Sequence, residues 1–298
     1  MLTKRNVLYT LIKARADSYV KGELHEDFKP FIEHQCELKR SLIKKRDVDV
    51  LKCNMKGSIQ SAHRDQEETR VLYKVHIQAF LKQNDFFYIE EEIEDRLALF
   101  YKDTLIQDEL LVKNFSEDEV NMDVEEVEQV EQDEERASYY DRLAAVQYAE
   151  KYWDKPNESY KQFEVNCTNY ISQCLHAGKA PMRGYPKKAN GWWMRGNAWS
   201  YSWAVAHSMH SYLSNSKSGL RAVRKSSASE LVPGDVICYD FEGDGRWNHT
   251  TIVVAKDGHG MPLVNANTYN SRMRYWAYED STAYTPKIKY DFFHIVDR

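Results

Sequence analysis

The sequence predicts an α+β protein of two dissimilar domains, each opening with helices and closing with antiparallel strands. Three observations predict it. Apolar residues recur at helical spacing and then alternate, once before residue 115 and again after residue 137. A run of carboxylates separates the two series. All seven tryptophans fall after residue 150, so the halves are built from different material. At 298 residues the chain is long enough to bury a core in each half.

In the first half, residues 1–115, Leu2–Val20 sets Val7, Leu8, Leu11 and Ile12 at helical spacing. Phe28–Lys45 reads as a second helix, with Phe31, Ile32, Leu38 and Leu42 on one side. Strands follow. Thr69–Leu81 alternates through Val71, Tyr73, Val75 and Ile77, Phe86–Ile93 and Leu97–Tyr101 are rich in aromatic and branched residues, and Leu105–Val112 continues the series. Two helices and an antiparallel meander make a small α+β domain. Its topology resembles the cone of nuclear transport factor 2, with no motif behind the resemblance. His25, His34, His63 and His76 show no spacing with carboxylates that marks a site, so a binding or scaffold role is expected.

Residues 116–136 read as an acidic linker. Residues 116–135 hold 11 acidic side chains and no basic one, and self-repulsion favours an extended segment. Val120, Val124, Val127 and Val130 offer a packed helix as the competing reading. Residues 136–298 hold 21 basic and 15 acidic side chains, a balance of +6 that suits an anionic or neutral polymer rather than specifying a ligand. Five cysteines with no CxxC and no histidine-rich run exclude a disulfide framework and a zinc set, and no cofactor is called for. The apolar stretch in Met1–Ala16 is too short for a signal-peptide core or a membrane span, so a cytoplasmic protein is the default expectation, with release by lysis or an unusual route left open.

After the linker, residues 137–298 form the second domain. Tyr139–Tyr152 repeats Leu143, Ala144, Val146, Tyr148 and Ala149 as an amphipathic helix. Asn157–Asn166 is a polar loop. Cys167–Ala177 is a helix closed by Gly178, expected as its left-handed C-terminal residue. Leu231–Tyr239, His249–Lys256, Pro262–Thr268 and Tyr290–Ile295 read as strands.

Asn166 can cap the helix through its side chain, which places Cys167 in the first turn. There the helix dipole and free amide hydrogens favour a thiolate, and the Cys167 amide can hold an oxyanion. Cys174, two turns deeper, reads as a buried inert thiol. Pro233-Gly234-Asp235 turns into an apolar strand, a polar turn follows, and His249 opens the next strand, where an imidazole can reach a helix N-terminus packed on the sheet and act as general base.

The segments NCTNYISQCL, LVPGDVICYD, WNHTTIVV and LVNANTYNSRMRYW resemble the amidase domain found in many Gram-positive bacteria, a distant relative of NlpC-type and CHAP peptidoglycan hydrolases in the papain-like class. The resemblance covers about residues 137–298. It implies a papain-like helix-plus-antiparallel-sheet domain, a Cys–His pair, amide hydrolysis through an acyl-enzyme, and a polar third residue on the strand after the histidine. Many relatives carry histidine there. In this chain Asn267 stands at that place, and Asn265 points the same way because strands alternate, so the orienter is open between them.

Gln162, one residue off the papain spacing, is a candidate second oxyanion donor beside the Cys167 backbone. The aromatic run Gly191–Trp203 exceeds core needs, with Arg183, Lys187 and Lys188 close by, and Trp192, Trp193, Arg195 and Trp199 join Trp247 as candidates to grip a sugar or peptide stem. Asp240, Glu242, Asp244 and Gly245 echo the start of a calcium loop, but its twelfth position is Thr251, so no metal is expected. The function expected is cysteine-dependent hydrolysis of a peptide or peptidoglycan-type amide, with no nucleic-acid partner. Acyl transfer by the same pair and a non-catalytic glycan or peptide-binding domain are the alternatives.

Overall fold

The computed structural model describes residues 2–111 and 139–296, and the acidic segment expected as a linker lies outside them. The described residues fall into two compact units, 2–111 with 269–284, and 139–268 with 285–296. Residues 269–284, expected with the second domain, therefore group with the first. In chain order the elements begin with α1 (Leu2–Lys21), α2 (Lys29–Lys45), β1 (Asp49–Asp65), β2 (Glu68–Gln83), β3 (Phe86–Tyr101) and β4 (Thr104–Leu110). Next come α3 (Arg142–Tyr152), α4 (Cys167–Ala177), β5 (Met194–Arg195), β6 (Ala198–Trp199), α5 (Tyr201–Ala204) and α6 (Ala206–Asn215). The series ends with β7 (Ala222–Lys225), β8 (Val236–Asp240), β9 (His249–Lys256), β10 (Pro262–Ala266), β11 (Ser271–Tyr275) and β12 (Lys289–Ile295).

In the first unit β1, β2 and β3 form an antiparallel meander, and both β4 and β11 pair with β3. Positive φ at Gln66, Asn84 and Lys102 turns the three hairpins. Every second residue of β2 is buried, and Val71, Tyr73, Val75 and Ile77 meet Leu8, Leu11 and Ile12 of α1 and Ile32 and Cys36 of α2. β3 is one strand where the sequence suggested two. The charges at 94–96 that imitate a break are largely buried in ion pairs. Arg15 grips Glu94 with both terminal nitrogens (2.5 and 2.6 Å), Glu94 meets Arg96 at 3.0 Å, and Arg96 reaches Asp108 at 2.6 Å. Lys39 sits among Glu90, Glu92 (3.1 Å) and Asp280 (2.8 Å).

The second unit is built on an antiparallel sheet in the order β10-β9-β8-β12-β7. Asp141 caps α3 by accepting from the Ala144 amide at 3.0 Å. Ile171 and Leu175 of α4, Trp192, Trp203, Ile252 and Val264 are fully buried. Gly178 is not left-handed as expected; its φ is −75°, and Lys179 takes the left-handed conformation at φ 64°. Glycine is required there for space, since a Cβ would stand 2.5 Å from Tyr140 Cε2. Among the described residues no helix is long and apolar enough to cross a membrane.

Candidate active site

Helix α4 runs over β9, and their meeting point is a pair of hydroxyls, with Thr168 Oγ1 3.2 Å from Thr250 Oγ1. Cys167, the first residue of α4, is 1 % exposed. Its thiol lies 3.8 Å from Thr168 Oγ1 and is also met by the backbone of Thr250. Burial raises the Cys167 thiol above the ordinary value, and the hydrogen bonds from Thr168 and Thr250 only partly offset that. The thiolate expected from helix position alone is thus opposed by desolvation.

His249 is paired across the ladder with Tyr239, and Thr250 with Cys238. The imidazole lies against the rings of Tyr239 and Phe241, with centroids 5.5 and 6.0 Å away. Tyr239 also reaches Thr251 Oγ1 at 3.1 Å, so residues 239, 249 and 251 share one face of the sheet. Thr250 faces α4 from the other. Cys167 therefore touches the residue that follows His249, while the imidazole is turned to the opposite side of β9.

Asn267 and Asn265 both point toward the helices. Asn267 Oδ1 accepts from the Asn166 amide group at 3.1 Å and from the Thr268 backbone at 3.1 Å, and its Nδ2 donates to the Trp153 carbonyl at 3.4 Å. In this geometry Asn267 holds Asn166 rather than the imidazole. Asn265 donates to Glu150 at 2.8 Å, tying β10 to α3. Asn166 makes no side-chain cap, contrary to expectation. Its Oδ1 accepts instead from the Phe163 amide (3.2 Å) and Asn169 Nδ2 (2.8 Å), and its own backbone N–H donates to Thr268 Oγ1 (2.8 Å). Gln162 is exposed, and its amide donates to the carbonyls of Asn157 and Tyr160. It is bonded within its own loop.

The aromatic candidates divide by burial. Trp192 is core: it stacks on Trp203 at 5.0 Å and donates to Ser172 at 2.9 Å. Trp193 is 2 % exposed and bonds the carbonyl of Asn190 at 3.0 Å, and Trp247 stacks on His210 at 3.9 Å. Their packing leaves these three rings little exposed surface with which to grip a sugar or peptide stem. Trp199 is half-buried, edge-on to Phe163 at 5.0 Å with the ammonium of Lys161 4.2 Å from its ring, and Arg195 is exposed beside Tyr185. That leaves Trp199, Phe163, Lys161 and Lys188 as an aromatic and cationic group, joined to the start of α4 by the bond from the Phe163 amide to Asn166. Phe163 was not singled out in the sequence.

Two other polar groups bear on metal or ligand binding. The Asp240 carboxylate accepts from the amides of Gly243 (2.7 Å) and Gly245 (2.8 Å), closing the loop that echoed a calcium site. In the first unit the carboxylates of Glu90, Glu92 and Asp280 converge closely enough to hold a cation, and the Lys39 ammonium occupies their centre. Thr268 and the Thr168–Thr250 pair were not legible as site residues, because nothing in their local sequence distinguishes them from surface threonines.

Residues 139–293 match the family model described as "Putative amidase domain". A Bacillus subtilis (strain 168) protein, "Uncharacterized protein YhbB", is 59% identical over 266 residues, covering 88% of this chain and 86% of the relative. A second protein of that strain, "Uncharacterized protein YjcM", is 33% identical over 125 residues, 39% of this chain and 28% of the relative. No solved structure matches the chain.

Proposed function

The chain belongs to this amidase-domain family, and from that premise we propose that its second unit is a cysteine-dependent hydrolase of peptide or peptidoglycan-type amides. The observation that carries the reading is the contact of Cys167, in the first turn of α4, with Thr250, the neighbour of His249. In the reaction Cys167 Sγ attacks the amide carbonyl carbon, and the thiol proton passes to His249. The Cys167 backbone N–H, in the first turn of α4 with no carbonyl of its own helix to bond, faces the developing oxyanion. The C–N bond then breaks, the protonated imidazole gives its proton to the leaving amine, and water hydrolyses the thioester by the same route in reverse. The geometry described is a closed resting form on this reading. A competent form on this reading needs the first residue of β9 to leave its pairing with Tyr239, because strand geometry otherwise holds the imidazole on the face away from α4. A helix bearing a cysteine on an antiparallel sheet is what makes the domain papain-like in this proposal. The first unit serves binding or placement.

The buried, protonated thiol favours a second reading, a domain that binds an amide ligand without cleaving it. The two are separated by incubating the full chain with muropeptides and short peptide amides and following amine release. Cys167→Ala and His249→Ala are expected to abolish release, with an acyl adduct on Cys167 trapped in the parent. Release that survives Cys167→Ala would remove the cysteine mechanism, and binding with no release by the parent would leave the second reading.

A further inference from the structure

Thr268 has φ 83°, in the left-handed region that a β-branched residue rarely occupies. Glycine or asparagine would relieve the strain, yet the chain places threonine there. The backbone conformation brings Thr268 Oγ1 to 2.8 Å from the N–H of Asn166, the residue that precedes Cys167. Asn267, beside it, takes the Asn166 side chain at 3.1 Å. Both bonds land on a residue that is 8 % exposed and whose carbonyl accepts from Tyr170 at 2.9 Å in the first turn of α4. A strained backbone held by surrounding bonds points to a positional demand. Here the demand is the placement of the helix start that carries the thiol.

We propose that Thr268 and Asn267 are positioning residues that fix Cys167 through Asn166, and that they do so independently of the imidazole. The proposal rests on Cys167 being the nucleophile, but its effect is readable on the thiol without any turnover. Thr168 and Thr250 seal the thiol only while the first turn of α4 stays seated against the end of β10. Loss of the Thr268 hydroxyl frees that turn, exposes the thiol to small reagents, and takes it out of register with the bond it attacks.

The test is the rate of iodoacetamide alkylation at each cysteine, read by peptide mass spectrometry on the folded full chain. Thr268→Val keeps the shape and removes the acceptor. It is expected to speed Cys167 alkylation about tenfold, while Cys174, two turns along the same helix, stays protected. Thr268→Ser keeps the hydroxyl and should return the parent rate. The acceleration should persist in a His249→Ala background, because the path runs through Asn166. Should Thr268→Val not fold, Thr268→Gly suits the backbone, lacks the hydroxyl, and gives the same reading. A rate within twofold of the parent, equal unmasking of Cys174, or disappearance of the effect with His249→Ala would each overturn the proposal. Amine release that persists in Cys167→Ala would instead defeat the cysteine mechanism while leaving the alkylation result standing.

Discussion

Alkaline pH should destabilise the second unit through its buried thiols. Cys174 and Cys238 are fully buried, and burial pushes both thiols well above the usual range. In the unfolded chain a thiol ionises near about 8.5. Above that pH the folded state holds protons that the unfolded state has released, so stability falls as pH rises and keeps falling until the folded thiol itself ionises. From roughly pH 8.5 to 9.5 each such thiol withdraws about 1 kcal/mol, so the pair withdraws about 2 kcal/mol. Cys167, also raised by burial, adds in the same direction. Against a total of about 5–15 kcal/mol the loss is measurable. Urea unfolding at several pH values, followed by tryptophan fluorescence, reads the right unit, because every tryptophan except Trp276 lies in it. Cys174→Ala and Cys238→Ala carry their own cavity costs, but each should remove about a third to a half of the pH slope, depending on how much Cys167 adds. Working below about pH 10 keeps ordinary tyrosine ionisation, and its linkage to buried Tyr170, out of the window. A parent whose stability is flat over this range, or single variants with an unchanged slope, would refute the reasoning.

In the first unit, burial works against ionisation of Glu94, but Arg15 and Arg96 overcome it and hold the carboxyl down at about 2. Its stabilisation is present above the unfolded value near 4.3 and is lost as pH falls toward 2; Arg96→Met leaves Glu94 and Asp108 short of a buried partner and should cost about 3–5 kcal/mol in urea unfolding at neutral pH. A cost under about 1 kcal/mol would mean that water reaches the pair. Lys39→Met strips the ammonium from Glu90, Glu92 and Asp280, and thermal unfolding should show a lower Tm that millimolar calcium partly restores. A Tm indifferent to calcium in that variant would show that Arg46 and Arg274 suffice to neutralise the carboxylates.

Much of the second unit was legible because its strands are short, apolar and bounded by turns. β9 begins at His249 and α4 at Cys167, as the spacing predicted, and β8 is shorter than expected because Gly234, at φ 91°, still belongs to the turn. In the first unit β1 left no signal. It runs from Asp49 to Asp65 with most positions exposed, so no alternation of apolar and polar residues marks it. β3 was divided because charges normally mark loops, and only the partners Arg15 and Asp108, far along the chain, explain why Glu94 and Arg96 stay in a strand. Residues 269–284 were assigned by their neighbours in sequence. Their pairing with β3 depends on Ser271 and Arg272 meeting Glu92 and Glu91, which no local pattern encodes.

At the candidate site the decisive quantity is the cost of charge. A helix N-terminus stabilises an anion by about 0.3–1 kcal/mol at an ordinary exposed position and about 2 kcal/mol at best. Removing an ion from water costs several kcal/mol unless a partner comes with it. Cys167 is 1 % exposed, with threonine hydroxyls and backbone around its sulfur. The dipole therefore cannot ionise this thiol alone, which is why a position that reads as activating in the sequence carries a raised thiol in the fold. In the proposed mechanism ionisation needs a cation within reach of the thiol, and the imidazole next to Thr250 is the group proposed to become one by taking the thiol's own proton. That transfer would create the ion pair and leave the net charge of the pocket unchanged, so the partner formed in the same step would offset the desolvation cost.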